Sequence, residues 1–106
     1  MTKLPPWPDN VGKHRAFTSI DGRRMHFVVE DEIARLQKTA TGKLIYIQKI
    51  RFEEEQRLEY RFTYFRIGVK AGARGRWVFG QSSVFVPKED LEWLLKEARR
   101  RGWPGF

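Results

Sequence analysis

Residues 66–76 read Arg-Ile-Gly-Val-Lys-Ala-Gly-Ala-Arg-Gly-Arg: four cations, three glycines and no acid. From Arg57 to Arg76 there are six basic residues and one acidic one, so this stretch carries net +5 of the chain's total of +8. Segregation of that kind creates a local positive field. Arginine suits phosphate because its planar fork can bind two oxygens. Glycines let the backbone approach a phosphate closely. The chemistry suggested is a phosphate-gripping finger. The bland alternative is a solvated hairpin tip kept soluble by charge. A second cluster, Arg99-Arg100-Arg101, says less, because cations at a helix C-terminus are expected for stability alone.

The inventory for catalysis is poor. His14 and His26 are the only histidines, one in the N-terminal arm and one within a strand, and they do not form a metal-spaced pair. There is no cysteine, hence no thiol nucleophile, disulfide or Cys-based metal site. Ser82-Ser83 has no partner that marks a nucleophile. Ala40-Thr41-Gly42-Lys43 resembles the end of a phosphate-binding loop, but it lacks the upstream glycine, and Leu44 stands where Ser or Thr is needed. The acid runs 30–32 and 53–55 are better explained as a helix start and a turn than as a metal site. The expectation is a non-enzyme without cofactor or metal.

At 106 residues the chain fits one domain. Pro5, Pro6, Pro8 and Gly12 make residues 1–14 an extended arm, with Trp7 as a possible anchor, and leave 15–106 as a single α+β domain. The net charge of +8 and a sequence pI of about 10.2 give the footprint of a polyanion binder. Nucleic acid ranks first among such partners, ahead of an anionic membrane or an acidic protein. The bland alternative is a basic chain that is merely soluble. No apolar run approaches a membrane span and the N-terminus lacks the apolar core of a signal peptide, so no membrane partner and a cytoplasmic location are expected.

These residues need elements to position them. Ala16–Ile20 and Arg23–Val29 flank Asp21-Gly22, a two-residue hairpin signal. Val29, Ile33, Leu36 and Ala40 recur at 4-3-4 spacing behind three acids, which predicts a helix over Glu30–Ala40. Lys43–Phe52, Leu58–Val69 and Arg76–Val86 read as strands, with Glu53–Gln56 as a turn and Pro87 as a stop. Lys88–Arg101 is the strongest helix: Leu91, Leu94, Leu95 and Ala98 form one stripe, acids lead, arginines trail, and Gly102 and Pro104 end it. The fold class expected is α+β, an antiparallel sheet of four or five strands packed by two helices.

Strand parity sorts the sheet into two faces. An odd loop pairing Phe52 with Leu58, and an even one pairing Tyr64 with Phe79, put Leu44, Tyr46, Ile50, Phe52, Leu58, Tyr60, Phe62, Tyr64, Trp77, Phe79 and Phe85 on an aromatic face. The other face then holds Lys49, Arg51, Glu59, Arg61, Thr63 and Ser82 at one end, and Ile45, Ile47, Phe65, Ile67 and Val78 at the other. The aromatic face reads either as a stacking platform or, more in keeping with a continuous apolar surface, as the core beneath the helices. The basic face is then exposed and its apolar end needs a cover, for which a second copy in a homodimer is the simplest candidate.

The element order over residues 16–103, long antiparallel strands followed by an amphipathic helix, resembles small single-strand-binding modules. It is similar to the ThermoDBP-type single-stranded DNA-binding proteins and to the Whirly/PUR group, which also takes in positive cofactor 4. The resemblance implies a protein that binds single-stranded nucleic acid, DNA or RNA, largely without sequence specificity. Lys49, Arg51, Arg61, Arg66, Lys70, Arg74 and Arg76 are the candidates for neutralising phosphates. Tyr64, Phe65 and Trp77 are the candidates for stacking on bases. Two other readings stand beside this one. One is an interaction module for an acidic protein, using Phe65, Ile67 and the arm around Trp7. The other is a small metal-independent RNase resembling RelE-type toxins, whose element order differs.

Overall fold

The computed structural model describes residues 4–106 and contains β1 (His14–Thr18), β2 (Arg24–Leu36), β3 (Lys43–Phe52), β4 (Leu58–Ile67), β5 (Trp77–Phe79) and α1 (Lys88–Arg100). The strands form one curled antiparallel sheet in the order β1-β2-β3-β4-β5. The first three residues of the expected arm lie outside the described residues.

The helix expected over Glu30–Ala40 is strand instead: β2 runs on to Leu36. A bulge between Val29 and Asp31 explains the misleading spacing. Without it, Val29 and Ile33 would share a face. The extra residue reverses the alternation, so each lands in a different core. Val29 packs with Met25, Phe27, Ile50 and Phe52, whereas Ile33 packs with Ile45, Ile47, Leu94, Ala98 and Trp103. The helical period was two strand half-patterns out of phase.

The C-terminal helix stands close to where the stripe places it. Gly102, at φ 75°, lets the chain reverse: the N–H of Trp103 reaches back to the carbonyl of Ala98, and that of Gly102 to Arg99, both at 3.0 Å. This paired closure satisfies carbonyls left open at a helix end. Leu94 and Ala98 are fully buried against Ile33, Ile45 and Ile47. Two polar ties fix the pose. Asp90 is buried and accepts from Arg35 Nε at 2.6 Å, and Trp103 Nε1 donates to Asp31 at 2.9 Å. Among the described residues there is one helix where two were expected, and it covers one face of the sheet.

Both expected registers around β4 are off by one. Leu58 pairs with Arg51 rather than Phe52, because four residues, Glu53–Gln56, separate Phe52 from its turn partner Arg57. Phe79 pairs with Phe65 rather than Tyr64. A one-residue slip sends every side chain of a strand to the other face. Arg61, Thr63 and Phe65 therefore join Tyr46, Ile50, Phe52, Trp77 and Phe79, and Tyr60, Phe62 and Tyr64 cross to the helix side. β5 ends at Phe79, so Phe85 lies in the connection to α1 and is 83% exposed. The apolar end that a second copy was expected to cover is dismantled as well: Ile45 and Ile47 lie under α1, and Phe65 and Ile67 are on the opposite face.

Candidate functional site

The face turned away from α1 is concave and holds a cavity of about 990 Å³. Its floor is aromatic and aliphatic: Phe27, Ile50, Phe52 and Phe65. Trp77 and Phe79 form the β5 wall, and Arg15 and Phe17 of β1, with Lys13 just before it, form the opposite wall. Phe17, Phe27 and Phe52 make one cluster of mutually tilted rings with centres 5.9–6.2 Å apart, Phe17 meeting Phe52 edge-on. Phe17 and Phe79 remain 39% and 41% exposed, so the walls present ring surface to solvent.

Arg61 stands among these rings. Its guanidinium carbon lies 5.0 Å from the centre of the Phe27 ring and 5.6 Å from that of Phe79. Its Nε and Nη2 both donate to Gln48 Oε1, at 2.9 and 2.7 Å. Among the described residues no carboxylate forms an ion pair with it. Glu32 is the nearest acid along the network, but Gln48 stands between: Gln48 Nε2 donates to Glu32 Oε1 at 2.9 Å, and the Asn10 backbone N–H donates to Glu32 Oε2 at 2.8 Å. Burial pulls the Arg61 pKa down from its ordinary value and the nearby Arg15 charge pulls it further, against a smaller opposing pull from Glu32. Arginine keeps its proton regardless. The result is a fixed, part-buried cation, held by a neutral amide, with donors left over on the cavity side.

The arm crosses this face rather than extending into solvent. Trp77 Nε1 donates to the Pro5 carbonyl at 3.0 Å, the Tyr46 hydroxyl to the Pro8 carbonyl at 2.7 Å, and Asn10 meets Glu32. Burial under the arm pushes the Tyr46 pKa well up. The arm thus runs from β5 over β3 to β2 and closes one end of the cleft. Trp7 is 47% exposed, and the ties that hold the arm are those of the Pro5 and Pro8 carbonyls and of Asn10.

The sequence-derived residues divide accordingly. Arg61, Phe65 and Trp77 share the concave face. Lys49 and Arg51 lie on the helix side, both directed at Glu30, at 3.9 and 2.7 Å. They were expected beside Arg61, and the register slip separates them. Tyr64 is also on the helix side, with Lys43 Nζ 5.4 Å from its ring centre. Gly80 makes room for that ring, since a Cβ there would sit 2.1 Å from it. Arg66 is exposed on that side too.

Lys70, Arg74 and Arg76 sit on the exposed loop between β4 and β5. The loop folds back on itself through Gly68, which bonds to both Arg76 and Gly75 and whose close approach to the Ala73 carbonyl leaves no space for a Cβ. Arg76 donates to the Gly72 carbonyl, while Lys70 and Arg74 have no carboxylate partner among the described residues.

Sequence reasoning missed Lys13, Arg15, Phe17 and Phe27. A signal existed: Arg15 and Phe17 alternate along β1 opposite Phe27 and Met25. That alternation is short, five residues, and its pairing with β2 is what shows which face it lines. Among the described residues no helix is long and apolar enough to cross a membrane. No protein-family model, curated protein or solved structure matches the chain.

Proposed function

We propose that the chain binds single-stranded nucleic acid in the concave cleft, largely without sequence specificity. The observation that carries this reading is Arg61, a cation with no carboxylate partner, held between aromatic rings in a cavity large enough for nucleotides. Base–aromatic stacking is worth ~1–3 kcal/mol per base, and Phe79, Trp77 and Phe17 are the rings with exposed surface. Lys13 and Arg15 on one rim, and Lys70, Arg74 and Arg76 beyond the other, supply phosphate contacts. A base must leave its stack to reach rings inside a cleft, so a duplex is disfavoured. Lys49, Arg51 and Tyr64 take no part.

The test is a fluorescence-anisotropy titration with labelled single-stranded DNA, single-stranded RNA and duplex DNA at two salt concentrations. The expected result is preference for single strands, affinity falling steeply with salt, and tryptophan quenching as bases reach Trp77. Equal weak binding to all three would reduce the role of the rings to nothing and leave charge alone. No binding at low salt would overturn the reading and put an acidic protein partner first.

A further inference from the structure

The two edges of the sheet are treated differently. β5 is three residues long, and the arm is tied to it through Trp77. β1 is five residues long and all five are exposed. It contains no proline and no acid. Proteins ordinarily protect an edge of that kind, because its free N–H and C=O groups template pairing with another strand.

The bonds to β2 decide which groups are free. Val29 N–H donates to Lys13 C=O at 3.1 Å, and Ser19 N–H to Arg23 C=O at 2.8 Å. Both lie in the register that pairs Arg15 with Phe27 and Phe17 with Met25. The backbone groups of Arg15 and Phe17 therefore point inward to β2. Those of His14, Ala16 and Thr18 point outward, the His14 carbonyl accepting only a long 3.3 Å bond from the exposed Arg15 guanidinium, which a partner strand would displace, and Ala16 is the middle of the strand. An antiparallel copy of β1 placed on a two-fold axis at Ala16 meets this pattern with its own: His14 opposite Thr18, Ala16 opposite Ala16, Thr18 opposite His14. Each is a pair that exchanges two bonds, about six in all.

Side chains agree with the same register. Arg15 of one copy falls opposite Phe17 of the other on the concave side, a cation against an exposed ring. Shifting the two-fold to Arg15 sets two arginines face to face. Because an antiparallel pair keeps its faces, the two clefts adjoin, and each copy adds an arginine to the rim of the other's cleft.

We infer that the protein is a two-fold dimer joined through β1, with Ala16 on the axis. The inference stands whether or not the cleft takes nucleic acid.

Three variants of the full chain, freed of nucleic acid, test it. Sedimentation equilibrium of the wild type is expected to give twice the chain mass, with association tightening as salt screens the +8 charge of each copy. This is the reverse of the salt effect expected for nucleic acid. Ala16→Pro removes only an outward N–H and so spares the bonds to β2; it is expected to give a folded monomer. Ala16→Cys supplies the chain's only thiol. Opposed α-carbons about 5.5 Å apart suit a disulfide, so mild oxidation is expected to give covalent dimer. Arg15→Cys, set opposite Phe17 rather than itself, is expected to crosslink far less. A monomeric wild type at high concentration, a dimer that survives Ala16→Pro, or equal crosslinking of the two Cys variants would each overturn the inference.

Discussion

The sheet uses the two faces of β3 in opposite ways, and the more apolar of the two is the open one: Leu44, Tyr46, Ile50 and Phe52 flank Gln48 there, while Ile45 and Ile47 share theirs with Lys43, Lys49 and Arg51. On one, Ile45 and Ile47 are sealed by Leu94 and Ala98 of α1. On the other, Ile50 and Phe52 floor a cleft that the arm closes at one end only. Charge follows the same division. Toward the helix, Arg35, Lys49 and Arg51 each have a carboxylate, Asp90 or Glu30. In the cleft, Arg61 has an amide and two rings. A paired cation fixes structure; an unpaired one surrounded by rings is available to a ligand. Apolarity does not separate a core from a site here; what marks the cleft is a part-buried cation that, among the described residues, is held by an amide rather than a carboxylate.

The comparison can be broken from its sealed side. Leu94→Ala leaves a cavity under α1 and should destabilise the fold by about 3 kcal/mol, lowering Tm by about 15 °C, with little change in oligonucleotide affinity at temperatures where the variant is folded. Weakened binding in the folded variant would mean that the two faces are coupled. Asp90→Ala leaves Arg35 part-buried and unpaired and should cost about 2 kcal/mol by chemical denaturation.

From the open side the effects should be on affinity. Arg61→Gln should weaken single-strand binding at least tenfold, about 1.4 kcal/mol. Its Tm should change by no more than a few degrees, for the loss of one partner to Gln48. Arg61→Lys keeps the charge without the planar fork and should fall between. A variant lacking the cations of Lys70, Arg74 and Arg76 should flatten the plot of log affinity against log salt by about 2, at roughly 0.7 per phosphate contact. Lys49→Ala with Arg51→Ala should leave affinity within about twofold, since those cations belong to Glu30 on the far face; a larger loss would sink the assignment of the cleft.

The smallest effect is in acid. Hydrogen bonds from Arg100, then from Arg101, hold the Glu97 carboxyl at about 2, below its ordinary 4.5. A carboxylate lowered by folding adds stability that is present above the unfolded value and is lost as pH falls through the folded one. Glu97→Gln should therefore flatten the fall in Tm between about pH 4.5 and pH 2, with no change in the binding profile near neutrality.

Much of this architecture was legible in the sequence. A hairpin at Asp21-Gly22, β3, most of β4, α1 and its glycine stop follow from local patterns, and so does the concentration of charge before Trp77; the hairpin's loop, however, is three residues, Ile20–Gly22, rather than two, and only Gly22 takes positive φ. Arg61, Phe65 and Trp77 were named and do meet in the cleft. The grouping around them failed where a single residue decides. The bulge at Glu30 disguised strand as helix, and the even turn at Glu53–Gln56 flipped β4, which sent Tyr64 away from Tyr46 and Ile50 and parted Arg61 from Lys49 and Arg51.

The sequence by itself determined which segments are strand or helix wherever one period runs unbroken, where the chain turns, and that the charge is concentrated along 57–76. These are local matters, set by backbone preference and by the spacing of apolar side chains. Only the tertiary structure decided which face each side chain occupies and which cations find carboxylates. Register and bulges are settled by contacts between strands far apart in the chain, and a slip of one residue, invisible in composition, exchanges core for cleft.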